Sequence, residues 1–146
     1  MRAAIREFLN SGKAASFLIT LQASGRPYTT QVSAVADPDF SIRVRTNRQA
    51  LKARHVRSNP TVSVLFVERK DGPQRNVLIQ GDALLIDDPR EVDDFFETIA
   101  RRNGIKIDRD SPRMVDSQIL QIRPAFLRAE GFDPRQFGRV TFERLS

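Results

Sequence analysis

FSIRVRTNRQALKARHVRSNPTVSVLFVE, residues 40–68, carries the decision about the fold. It opens as FSIRVRT (40–46), where Phe40, Ile42 and Val44 alternate with Ser41, Arg43 and Arg45, the two-residue period of a half-buried strand. The pattern changes at Thr46. Asn47 offers a side-chain oxygen as a helix N-cap, and RQALKARHVRS runs on without Gly or Pro. Leu51 and Val56, with Ala50 and Ala53, make a narrow apolar stripe at helical spacing. Asn59-Pro60 stops the helix. TVSVLFVE (61–68) is nearly all apolar and reads as a strand covered on both faces.

Outward from this unit the chain is mostly strand. Residues 3–10 form a short amphipathic helix with Ile5, Phe8 and Leu9 on one face, and Gly12 as its stop. ASFLITLQA (15–23) and PYTTQVSAVA (27–36) are strands joined by a turn at 24–27, and Asp37-Pro38-Asp39 turns again. KDGPQ leads into RNVLIQGDALLID (75–87), where Gly81 marks a bulge or bend. Asp88 caps the next helix, with Pro89 at its first position. Val92, Phe95, Phe96 and Ile99 form its buried face, and Gly104 ends it. Residues 118–131 and 139–145 are two more strands, with Pro124 at an edge or bulge. About seven strands, joined largely by tight turns, and three or four helices give a mainly β (α+β) fold. The expectation is one domain, 1–146, built as a Greek-key-like antiparallel barrel of about six to seven strands with peripheral helices.

The chain carries 24 basic and 18 acidic residues, a net charge of +6. Residues 43–57 hold six Lys or Arg and no Asp or Glu, so the rest of the chain is balanced. There is no Cys, and no apolar run approaches the ~18 residues of a membrane span. The first residues carry charges inside their apolar part, unlike a signal peptide. A cytoplasmic protein without membrane association is expected. His55 is the single His and reads as structural or solvent-facing. HExxH, GxSxG, Walker and GxGxxG patterns are absent, and no metal site is expected. If the chain is an enzyme, a cofactor carries its chemistry.

The basic stretch must meet an anion or water. A strand that runs into an uncrowded helix N-terminus presents backbone N–H groups and the positive end of the helix dipole. Thr46 adds a hydroxyl, Arg45 leaves the strand just before the turn, and Lys52 lies about a turn and a half on, able to reach back. One phosphate monoester fits such a cup. A solvated basic face is the plain alternative. Nucleic acid is disfavoured by the neutral remainder and the lack of aromatics in the stretch. A membrane-surface helix is disfavoured by the missing Trp and Phe.

Three segments together resemble the pyridoxamine 5′-phosphate oxidase-like family of flavin-binding split barrels. They are SFLITLQASGRPYTTQVSAV, RVRTNRQALKARHVRSNPTVSVLFVE and NVLIQGDALLIDDPREVDDFFETIARRNG. The resemblance runs from about residue 13 to 130. It implies a split barrel that dimerises, with flavin mononucleotide (FMN) at the subunit interface. Its phosphate would meet Thr46 and Lys52, with Arg45 as neighbour, and its ring would lie along Thr30, Gln31 and Val32. Arg75 and Gln80 are weaker candidates from the second subunit. True pyridoxamine phosphate oxidases carry Arg and Lys where this chain has Thr30 and Val35. Their C-terminal substrate segment has no match here, so that reaction is not expected. The resemblance implies a flavin-dependent oxidoreductase acting on an unidentified small substrate. A deazaflavin reductase on the same scaffold is the alternative, Arg48, Arg54 and Arg57 meeting that cofactor's acidic tail. Haem, bound by related members, would need a ligand that one His hardly supplies. A non-catalytic flavin- or nucleic-acid-binding module is the reading from another class.

Overall fold

The computed structural model describes residues 1–108, 110–112, 114–133 and 140–145, and of 140–143 the backbone alone. The elements run α1 (Arg2–Asn10), β1 (Ala14–Leu21), β2 (Pro27–Val32), β3 (Ala34–Ala36), β4 (Ile42–Asn47), α2 (Leu51–Ser58), β5 (Thr61–Glu68), β6 (Asn76–Ile86), α3 (Pro89–Asn103), β7 (Ser117–Glu130) and β8 (Val140–Arg144). All strand pairs are antiparallel, in the order β2-β1-β5-β6-β7-β4-β3, with β8 on β7.

The stretch 27–36, expected as one strand, is two. It breaks at Ser33, so β2 pairs with β1 while β3 pairs with β4. These two short strands are the opposite ends of the sheet path yet neighbours in the chain. The sheet therefore curls back on itself, giving the expected split barrel. Leu18, Val44, Ile42, Val64, Ile79 and Leu120 are fully buried inside it. Ile5, Phe8 and Leu9 of α1 close over this core. Val92 and Phe95 of α3 pack against Val35 and Ile119 in a second, smaller cluster. Asp88 caps α3 by accepting the Arg90 N–H at 2.9 Å, and Gly104 ends it in the left-handed conformation.

Gly81 does mark a bulge. The β6–β7 register slips between Gln80 and Gly81, opposite Pro124. A Cβ at Gly81 would lie 1.9 Å from the Arg123 carbonyl oxygen, so only Gly permits this approach.

Strand β5 differs from the expectation. Val62, Val64 and Phe66 are buried, but Ser63, Leu65 and Val67 are only half-buried. Leu65 sits in a half-exposed apolar row with Phe17 and Leu78 across neighbouring strands. Within one chain, then, the outer face is incompletely covered.

Candidate functional site

Helix α2 begins later than the sequence suggests. Asn47 is the last residue of β4, and its side-chain oxygen accepts the Gln49 N–H at 2.9 Å in a local turn. The Ala50 N–H closes that turn onto the Asn47 carbonyl at 3.0 Å. Asn competes for backbone groups in turns as readily as at helix caps, and here the turn wins. Ala50 becomes the N-cap, with no side-chain cap and no acid in the first turn of the helix. The leading N–H groups of α2 are thus left for an outside acceptor. Lys52 is the second helical residue, not a turn and a half along.

Arg45 stands beside this helix start. It donates from Nε to Ser117 Oγ at 3.2 Å, and its guanidinium lies 5.9 Å from the Phe96 ring centroid. Burial, and then the neighbouring Arg45 charge, push the Lys52 ammonium below its usual pKa. Lys52 has no hydrogen bond or ion pair with any described residue. Two cations thus stand close together, with no carboxylate on Lys52, at a helix N-terminus that lacks a side-chain cap.

Thr46 is placed differently from Arg45, because consecutive strand residues face opposite ways. It is fully buried, opposite Gln118, and its hydroxyl donates to the Asn47 carbonyl at 3.1 Å. Thr30 and Val32 share one face of β2, and Gln31 projects from the other, exposed face. The Thr30 hydroxyl is buried with no hydrogen-bond partner, and the Val32 carbonyl accepts the Ser16 hydroxyl at 2.6 Å. An orphaned buried hydroxyl on this strand fits a site completed by a ligand.

His55 is what sequence reasoning undervalued. It lies about one turn beyond Lys52, with Nδ1 hydrogen-bonded to the fully buried Thr20 hydroxyl at 2.8 Å. Its ring meets the Tyr28 ring edge-on at 5.2 Å between centroids. Helix α2 is thereby tied to β1 and β2. The available signal was Thr20, a polar residue on the inward-facing phase of β1.

The +6 stretch is much less basic in the fold than in the sequence. Arg43 is bridged to Asp37 at 3.1 Å and to Asp94 at 2.8 Å. Arg48 grips Asp87 through both terminal nitrogens, with Asp116 4.0 Å away. Arg57 donates to the Arg48 carbonyl. Of the three arginines expected to meet an acidic tail, only Arg54 has no described partner. The weaker candidates separate too. Arg75 is bound to Glu68 at 2.9 Å and stacks on Phe8 and Phe132. Gln80 lines a groove of about 770 Å³ with Val62, Leu84 and Phe126 beside the Gly81 bulge.

The sequence pattern of the family described as pyridoxamine 5′-phosphate oxidase matches residues 1–130. No curated protein matches the chain. Among solved structures, a conserved hypothetical protein of Mycobacterium tuberculosis is 25% identical, with a TM-score of 0.76 over 88% of this chain and 83% of that one. A protein of Listeria innocua described as a putative pyridoxamine 5′-phosphate oxidase is 21% identical, with a TM-score of 0.69 over 88% and 96%. An F420 reductase is 20% identical, with a TM-score of 0.70 over 83% and 94%. The last two likenesses bear on the fold alone.

Proposed function

The chain belongs to the pyridoxamine 5′-phosphate oxidase family, and from that premise we propose that it binds FMN as a homodimer and acts as a flavin-dependent oxidoreductase on a small substrate. The observation that carries this reading is the Lys52–Arg45 pair at the uncapped start of α2. A phosphate there relieves the repulsion between the two cations and accepts the free N–H groups of the first turn. The Thr30 hydroxyl and the backbone of Gln31 and Val32 line the strand assigned to the ring. His55 holds the two segments in register through Thr20 and Tyr28. A bound flavin supplies hydride transfer, so the chain itself needs no acid–base pair. The half-exposed row of Phe17, Leu65 and Leu78, with the exposed Leu84 and Phe126 nearby, is the face that a second copy would cover.

The same site suits the phosphate of a deazaflavin, the second reading, and a protein of this fold, 20% identical, is an F420 reductase. A visible spectrum of the purified protein decides between them: two bands for a flavin, one at shorter wavelength for a deazaflavin. A colourless protein that takes up neither cofactor and retards DNA on a gel would overturn both. Flavin titration by fluorescence quenching tests the placement. Lys52→Ala is expected to weaken binding by about tenfold to a hundredfold, the loss of one charge-assisted contact. Arg54→Ala, remote from any partner, should bind like the wild type.

A further inference from the structure

Another group of basic side chains lies where β2 breaks into β3. A cleft of about 160 Å³ opens there, walled by Ser16, Ser33, Arg69, Arg102 and Asn103 among apolar residues, with no Asp or Glu in its lining. Arg102, in the last turn of α3, donates to the Ala34 carbonyl at 2.8 Å and to the Asn10 side-chain oxygen at 3.1 Å. Both acceptors are neutral. Burial pushes its pKa below the usual value, and no carboxylate offsets this, in contrast to Arg43 and Arg48, which their aspartates hold up. Arg69 follows the end of β5 and is anchored through its backbone N–H to the Lys13 carbonyl at 2.9 Å. Its side chain makes no hydrogen bond or ion pair with a described residue. Ser33 likewise has a hydroxyl without a described partner.

We infer that this cleft is a site for one small oxyanion, a phosphate or carboxylate group, held by the guanidinium groups of Arg69 and Arg102 and the Ser33 hydroxyl. Guanidinium donors match both anions in geometry; Arg69 and Ser33 are exposed and Arg102 half-buried, so the contact is open to solvent and weakens with ionic strength. The Ser16 hydroxyl is already committed to the Val32 carbonyl, so it is not counted as a donor. Its three donors are none of the residues of the Arg45–Lys52 pair, although Val32, assigned to the ring strand, also lines the cleft; phosphate binding there does not require the cofactor reading.

Calorimetric titration of Lys52→Ala protein with inorganic phosphate, and separately with acetate, is the test, because that background disables the cup. Saturable binding of one phosphate per chain is expected, weakened about tenfold or more by adding Arg69→Ala. Arg69 holds nothing else in place, so this variant should fold normally, and Arg69→Lys should retain part of the affinity. Acetate that competes with phosphate identifies a general carboxylate and phosphate site, whereas binding of phosphate alone restricts it to tetrahedral anions. Absence of saturable binding of either anion, or equal phosphate affinity with and without Arg69, would overturn the site. Failure of the cofactor reading shows separately, as unchanged flavin affinity in Lys52→Ala.

Discussion

At Glu68 one buried carboxylate accepts the Arg75 side chain twice and the Arg75 backbone N–H at 3.0 Å. These bonds, Arg75 first among them, hold its pKa down to about 2 from the usual 4.5. A depressed carboxylate stabilises the fold above its unfolded pKa, and that stability is lost as pH falls toward the folded value. Glu68→Gln should therefore cost about 1–3 kcal/mol near neutrality. The gap from wild type should close as pH drops from about 4.5 to about 2. Thermal melts across that range check it, and a gap that widens toward acid would contradict the assignment. The sequence placed Arg75 on its strand but could not show this partner. Glu68 and Arg75 lie seven residues apart and meet only because β5 and β6 turn back on each other.

Two elements carry constraints that single substitutions expose. At the β6 bulge, Gly81→Ala would drive a methyl group into the Arg123 carbonyl oxygen, with backbone on both sides unable to yield. A loss of roughly 3 kcal/mol or more is expected in chemical denaturation. A loss below about 0.5 kcal/mol would mean the strands relax freely there. The glycine and the opposing Pro124 were both legible as a bulge in the sequence, since neither fits a regular central strand. Helix α2 is the counter-example. Its composition was legible, but its start was not, because Asn47 could serve either as cap or as turn former. Ala50 has the extended backbone of an N-cap and lacks the side chain for it. Ala50→Asp should add about 1 kcal/mol of stability by capping the helix. If the proposed phosphate site is right, it should also weaken flavin binding on the order of tenfold, by setting a carboxylate against the phosphate. A variant both more stable and tighter-binding would argue that the phosphate sits elsewhere.

At the scale of the whole molecule, charge and apolar surface are redistributed by folding. Asp37, Asp87, Asp94 and Asp116 come from outside the basic stretch to meet Arg43 and Arg48. With Arg43 and Arg48 paired, no broad basic face is left along this stretch, and the proposed site at the start of α2 suits one phosphate better than a nucleic-acid backbone. The opposite imbalance appears on the outer side of β1, β5 and β6, where Phe17, Leu65 and Leu78 stay partly exposed. Leu65→Glu should leave the barrel folded, since this side chain lies outside the core. It should shift the protein to monomer in sedimentation and lower flavin affinity in parallel. A dimer unaffected by Leu65→Glu would place the subunit contact on another face.

Local alternation, turn chemistry and the caps of α3 were enough, from the sequence alone, to define an antiparallel, strand-rich domain and most element positions. Those signals depend on neighbouring residues and survive without tertiary context. The order of the segments was enough to point to the family. Only the tertiary structure decided where the strand 27–36 breaks, because Ser33 becomes a corner when β1 and β4 compete for its two sides. It alone decided which arginines are neutralised, since their aspartates arrive from other strands and helices. It also turned Thr46 inward, by strand alternation, and set Lys52 beside Arg45, because a helix that begins about a turn later than expected, at Leu51, shifts every following side chain around its axis.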